Sequence, residues 1–152
     1  MVEIITHLSR KHPSSTAAMA DAREKIERII GKPPTKGYVF DDEGGPVKLF
    51  WIGQSSDGRA GLQNRASGTY NHADALIELT STDGKGADGR NDEIESGLIR
   101  LFRGDPRCQN TNNGGGGPKS KSATSRNVYL AVVGYDDRLE ELRSALAPVL
   151  RE

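Results

Sequence analysis

The chain has 152 residues, enough for one domain with one buried core. Hydrophobic residues make up 34% and glycines number 18, the usage of a folded domain and not of a disordered one. No apolar run approaches the ~18 residues that span a bilayer, no signal-peptide frame surrounds Val2 to Leu8, and a single cysteine, Cys108, excludes an internal disulfide framework and a cysteine zinc site. The chain therefore reads as soluble and cytoplasmic, with no membrane partner. Basic and acidic residues balance at 21 each, so net charge does not mark a dedicated nucleic-acid binder.

Ser15 and Thr16 read as a helix N-cap. Met19, Ala22, Ile26 and Ile29 follow at helical spacing, and Gly31 with Pro33-Pro34 stops the helix. This defines a helical extension over residues 1–35. Gly37 to Phe40 reads as a strand, Asp42 to Gly45 as a turn, and Pro46 to Ile52 as a second strand, together a hairpin. A loop over Gly53 to Gly61 leads to a short helix at Leu62 to Ser67. Ala75 to Thr80 reads as a strand and Thr82 to Arg90 as a glycine-rich loop. Asn91 is expected to cap a helix over Asp92 to Phe102, with acids in its first turn where the macrodipole favours them. Asn110 to Ser125 is a polar loop with four consecutive glycines. Val128 to Val133 reads as a buried strand. Asp136 opens a C-terminal helix striped by Leu139, Leu142, Leu146 and Val149, packed over 135–152 on a core at 36–134. The fold class is α+β: a small antiparallel sheet built on the hairpin and flanked by helices.

Charge is segregated along the chain. Between Arg103 and Arg126 stand five bases (Arg103, Arg107, Lys119, Lys121, Arg126) and one acid, Asp105, whereas Asp136 to Glu152 holds five acids and three bases. One phosphate-facing side would produce this pattern.

Three motifs stand in order: Gly37-Tyr38-Val39 with Trp51-Ile52-Gly53 on the two hairpin strands, Leu62-Gln63-Asn64-Arg65 on the next helix, and Glu95-Ser96-Gly97-Leu98-Ile99 followed by Pro106 to Asn110. The set resembles the GIY-YIG nuclease family over about residues 36 to 112 of the chain. The resemblance implies a metal-dependent endonuclease with Tyr38, Arg65 and Glu95 as catalytic residues and Asn110 as the trailing asparagine. Trp51 stands where the family has its second tyrosine, and Tyr70 or Lys48 are the residues that would replace that phenol. Some members carry a histidine after the arginine helix, a place His72 fits. The implied cofactor is Mg²⁺, or Mn²⁺, and the implied partner is DNA before RNA, with a homodimer as one option.

These residue types suit phosphodiester hydrolysis. A phosphorane-like transition state needs positive charge held in place beforehand. Arg65 can fork two N–H donors onto phosphate oxygens. One carboxylate, Glu95, can hold a magnesium ion that keeps most of its waters. Tyr38 would take or relay the proton of the attacking water. A phenol with pKa ~10 needs roughly 4 kcal/mol of phenolate stabilisation to act as a base near neutral pH. Lys48, Arg59, Tyr70, Lys119, Lys121 and Arg126 are the candidate nucleic-acid contacts.

Each residue has a plainer reading. Glu95 shares a helical stripe with Leu98, Ile99 and Phe102, where a carboxylate is costly unless paired or bound to metal; Glu93 points to the polar face. Tyr38 and Trp51 could simply pack, and an indole has no proton to relay as a phenol does. Arg59 competes with Arg65 if the preceding loop is aligned shorter. His72 could be a surface residue and Asn110 a turn cap. Cys108 reads as a small buried hydrophobe. Gly114 to Ser120 fails as a phosphate loop because Pro118 stands where glycine is required. Asp83 to Asp92 fails as a calcium loop because Lys85 and Ala87 occupy oxygen-ligand positions. Two alternatives to the enzyme remain: a catalytically silent nucleic-acid-binding module on the same fold, and a protein-interaction domain built on the acidic C-terminal helix.

Overall fold

The computed structural model describes residues 2–6, 14–31, 47–56, 58–83, 87–111 and 125–134. In chain order the elements are β1 (Glu3–Ile5), α1 (Ser15–Ile30), β2 (Val47–Ser56), α2 (Gly58–Ser67), β3 (Ala75–Asp83), α3 (Ala87–Phe102) and β4 (Ser125–Gly134).

Helix α1 forms because its start, stripe and stop agree. The Ser14 hydroxyl, one residue before the expected cap, accepts from the Ala17 N–H at 3.1 Å, which satisfies an orphan donor of the first turn. Ala18, Ala22, Ile26 and Ile29 make one buried stripe. Arg23–Glu27 and Arg28–Glu24 pair at i,i+4 on the exposed face. Gly31 takes φ 69° and its N–H returns to the Glu27 carbonyl, a left-handed stop that glycine adopts without a Cβ penalty.

The four strands run in the order β1-β3-β4-β2, with β1 parallel to β3 and the other pairs antiparallel. The fold is thus α+β, but the sheet is mixed and not antiparallel as expected. A three-residue strand gives too short an alternation to be read from sequence, and β1 joins the sheet by parallel pairing with β3, a partner more than seventy residues later. Side chains alternate between two faces, as the period of two requires. Phe50, Ile52, Ala75, Ile77, Leu79, Val128, Leu130 and Val132 face α1 and α3 in the main core. Leu76, Tyr129 and Ala131 face α2 through Leu62 in a smaller cluster, with Ile4, Trp51, Ala66 and Tyr70 at its border. The stretch expected as an N-terminal extension therefore supplies a strand and a helix to the same core.

Other expectations change with the packing. Helix α3 begins at Ala87, inside the segment read as a loop, so Asn91 lies within the helix and is fully buried instead of capping it. The expected hairpin partner of β2, Gly37 to Phe40, lies outside the described residues, as do the turn at 42–45 and the helix over 136–152. What pairs with β2 is β4, from Val47↔Gly134 to Ser56↔Arg126. Among the described residues no helix is long and apolar enough to cross a membrane.

Two buried cations organise the helical layer. Lys25, 2% exposed, pairs with Asp21 at 2.8 Å and donates to the Leu79 carbonyl at 3.2 Å. Leu79 sits at the register shift of β3 against β4, where a bulge leaves a residue outside the ladder. Arg107, 1% exposed, donates to the Ile30 carbonyl at 2.5 Å and the Gly31 carbonyl at 3.2 Å, and forks onto Asp105. Arg107 thus caps the C-terminus of α1 and is not one of the phosphate-facing bases expected over 103–126. Arg107→Leu would strand Asp105 and two helix-end carbonyls. We predict a loss of about 3 kcal/mol or more, read by urea unfolding, with Arg107→Lys rescuing only part because an ammonium cannot reproduce the fork.

Candidate functional site

Strand β2 gathers the candidate residues. One of its edges is laddered to β4; the other is held, at residues 50–52, by the segment after α3. The Phe50 N–H donates to the Arg107 carbonyl at 3.0 Å and the Gln109 N–H to the Phe50 carbonyl at 2.9 Å. Asn110 continues this pattern with its side chain. The Ile52 N–H donates to Asn110 Oδ1 at 2.9 Å, and Asn110 Nδ2 donates to the Ile52 carbonyl at 2.8 Å. Its amide acts as a peptide unit in a short ladder, so Asn110 positions β2.

On the face toward α3, Gln54 projects between two carboxylates one helical turn apart. Gln54 Nε2 donates to Asp92 Oδ1 at 2.6 Å and to Glu95 Oε1 at 3.0 Å. Glu95 is 6% exposed while its neighbour Glu93 is exposed, as the helical stripe predicts. Its burial among Ile94, Leu98 and Ile99 is tolerable because the carboxylate is hydrogen-bonded. Gly97, on the same helix, lets α1 approach so closely that a Cβ there would strike the Met19 sulfur.

On the opposite face, Gly53 lies directly across from Tyr129. A Cβ at position 53 would stand 2.5 Å from the Tyr129 hydroxyl and 2.6 Å from Cζ, so the phenol crosses the backbone where glycine leaves room. The Tyr129 and Tyr70 hydroxyls share a hydrogen bond, and the rings meet edge to face at 5.8 Å. Burial pushes both phenols above the ordinary tyrosine range, Tyr129 furthest. The Arg65 guanidinium pulls both back and the Glu95 carboxylate pushes both up. Two charges on separate helices therefore act on one phenol pair.

The turn after α2 sets Tyr70 in place: the Gly68 and Tyr70 N–H groups both return to the Arg65 carbonyl, at 3.2 and 2.9 Å. Arg65 is exposed in the last helical turn. Arg59, in the first turn, instead directs its guanidinium toward the Ile4 carbonyl on β1 at 3.4 Å, at the opposite edge of the sheet from β2. Of the two candidate arginines, Arg65 stands beside the phenols.

Trp51 is half-buried and lies 5.7 Å from the Tyr70 ring and 5.2 Å, edge to face, from the exposed His72. Tyr70, one of the two proposed replacements, thus lies beside the indole. Tyr38, Lys119 and Lys121 lie outside the described residues; Lys48 on β2 and Arg126 on β4 are described in backbone only. Cys108 is half-buried, and burial raises its thiol pKa, in keeping with an unreactive thiol.

Gln54, Asp92 and Tyr129 were not among the expected site residues. An alternation check from the Trp51-Ile52-Gly53 motif would have put Gln54 on the Ile52 face, and helical spacing puts Asp92 beside Glu95. Nothing short of the strand pairing places Tyr129. Among the described residues no group of three or more His, Cys, Asp or Glu side chains is arranged to hold a metal. Asp92 and Glu95 still suit magnesium, which takes one or two carboxylates and completes its shell with waters and substrate phosphate.

The phenols make an alkaline prediction. Unfolded tyrosines ionise near pH ~10, whereas Tyr70 and Tyr129 hold their protons to higher pH. Their contribution to stability is complete below about pH 10 and is lost as the pH rises through the folded-state values. Spectrophotometric titration should show at least two of the four tyrosines ionising late, and Tyr70→Phe should remove one of the late ones.

Comparisons with family models, with characterised proteins and with solved structures found no match.

Proposed function

We propose that the chain is a metal-dependent endonuclease of the GIY-YIG kind, hydrolysing phosphodiester bonds in DNA before RNA. The observation that carries this reading is the gathering along β2 of Arg65 with the Tyr70–Tyr129 phenol pair on one face and of the Asp92 and Glu95 carboxylates, held by Gln54, on the other. A phosphodiester site needs a cation for the phosphate, a carboxylate for a metal and a proton-bearing group between them. The three types stand on the two faces of one short stretch of β2, Trp51 to Gln54.

Roles follow from the chemistry of each group. Arg65 binds phosphate oxygens through its guanidinium fork. Glu95, with Asp92 one turn earlier and Gln54 orienting both, would hold Mg²⁺ or Mn²⁺, which supplies charge neutralisation of the phosphate and the leaving oxygen. Tyr70 and Tyr129, both protonated at neutral pH, donate hydrogen bonds and do not abstract protons. Tyr70 beside Trp51 places a phenol near the position that carries the second tyrosine in the family. The base or relay remains Tyr38, on the strength of its place in the motif.

Trp51 also favours a second reading, a nucleic-acid-binding module without catalysis, since an indole cannot substitute for a phenol as proton relay. The protein-interaction reading rested on residues 136–152, outside the described structure.

Plasmid cleavage in Mg²⁺ or Mn²⁺ separates these. Wild type should nick or linearise DNA. Glu95→Ala and Tyr38→Phe should abolish cleavage while DNA binding in a shift assay persists. Arg65→Ala should lower the rate by about 10²–10³. DNA binding without cleavage by wild type in either metal would favour the silent module and overturn the enzyme.

A further inference from the structure

The residues around Trp51 carry more than a catalytic site requires. From Gly58 to Ala73 the chain has Arg59, Arg65 and His72 and no aspartate or glutamate. Gln63, Asn64, Arg65, Asn71 and His72 are all exposed. At the end of this stretch three rings assemble: Trp51 with Tyr70 at 5.7 Å, Trp51 with His72 at 5.2 Å, and Tyr70 with His72 at 6.4 Å and a tilt of 36°. Aromatics are 5% of the chain, so an aromatic cluster at a half-open surface is not a compositional accident. Elsewhere among the described core residues the aromatic rings are the Phe50–Phe102 pair and Tyr129, which packs against Tyr70.

Three properties of this surface point to the same ligand. A guanidinium with no acid in its own segment fits a phosphate. Exposed amides can pair with base edges. Rings that are partly open accept the faces of bases, which a stacked duplex keeps covered. A duplex offers phosphates to Arg65 but no base face to the rings. We propose that the Trp51–Tyr70–His72 cluster is a stacking site for unpaired nucleotides, so that the substrate is single-stranded or locally opened nucleic acid with its phosphate at Arg65. This deepens the nuclease reading and rests on it for the placing of the scissile phosphate; the stacking itself does not need catalysis.

Trp51 is the only tryptophan in the chain, so its fluorescence reports this cluster alone. The test is made in EDTA, with uncut DNA, on the full chain. A short oligodeoxyadenylate should quench Trp51 saturably, and anisotropy of a labelled copy should give tighter binding than a blunt duplex of equal length. His72→Ala, at an exposed position, and Trp51→Leu should each weaken single-strand binding roughly tenfold, while Trp51→Phe, which keeps a ring, should retain most of it. Single-strand binding without quenching, duplex binding as tight as single-strand binding, or no binding at low salt would each overturn the proposal. Quenching without any metal-dependent cleavage would leave the stacking site standing and remove the nuclease.

Discussion

Strand β2 is hydrogen-bonded on both edges at residues 50–52, and the rest of the arrangement depends on it. β4 holds one side along nearly its whole length. Arg107, Gln109 and the Asn110 amide hold the other. A backbone clamped this way fixes which side chains point to which face, because a slip of one residue would exchange the faces. Gln54 is thereby committed to the carboxylates of α3, and Gly53 to the phenol of Tyr129.

The clamp is itself anchored by the buried Arg107. Its guanidinium ties the segment carrying Asn110 to the C-terminus of α1, through the Ile30 and Gly31 carbonyls. The end of a helix in the first fifth of the chain thus positions a residue beside the candidate site. Removing either partner of the Arg107–Asp105 pair would leave a buried charge uncompensated, which is why such pairs are sensitive to single truncation. The packing supports the site through three linked steps: helix cap, edge segment, strand.

Sequence patterning made some of this legible and could not reach the rest. The α1 stripe, the inward turn of Glu95, the outward turn of Glu93 and the buried β4 run follow from periodicity alone. Arg65 and Arg59 could not be separated without the turn in which the Arg65 carbonyl binds Tyr70. Arg107 looked like a surface base because its partners, Ile30 and Gly31, are more than seventy residues away. Asn91 looked like a cap because the three residues between β3 and α3, 84–86, are far fewer than the glycine-rich composition suggested. Tyr129 was hidden in an apolar run whose register only the β2 pairing sets. Local pattern decides element and face; long-range pairing decides which residues meet.

Arg65 and Glu95 act on the Tyr70–Tyr129 pair in opposite electrostatic directions, the guanidinium lowering and the carboxylate raising both phenol pKa values. The most direct measurement is the pH titration of Tyr70 by NMR of ring-labelled protein, in wild type, Arg65→Met and Glu95→Gln. Tyr70 should ionise at higher pH when the guanidinium is removed and at lower pH when the carboxylate is neutralised. A Tyr70 titration unmoved by both substitutions, in folded variants, would contradict this.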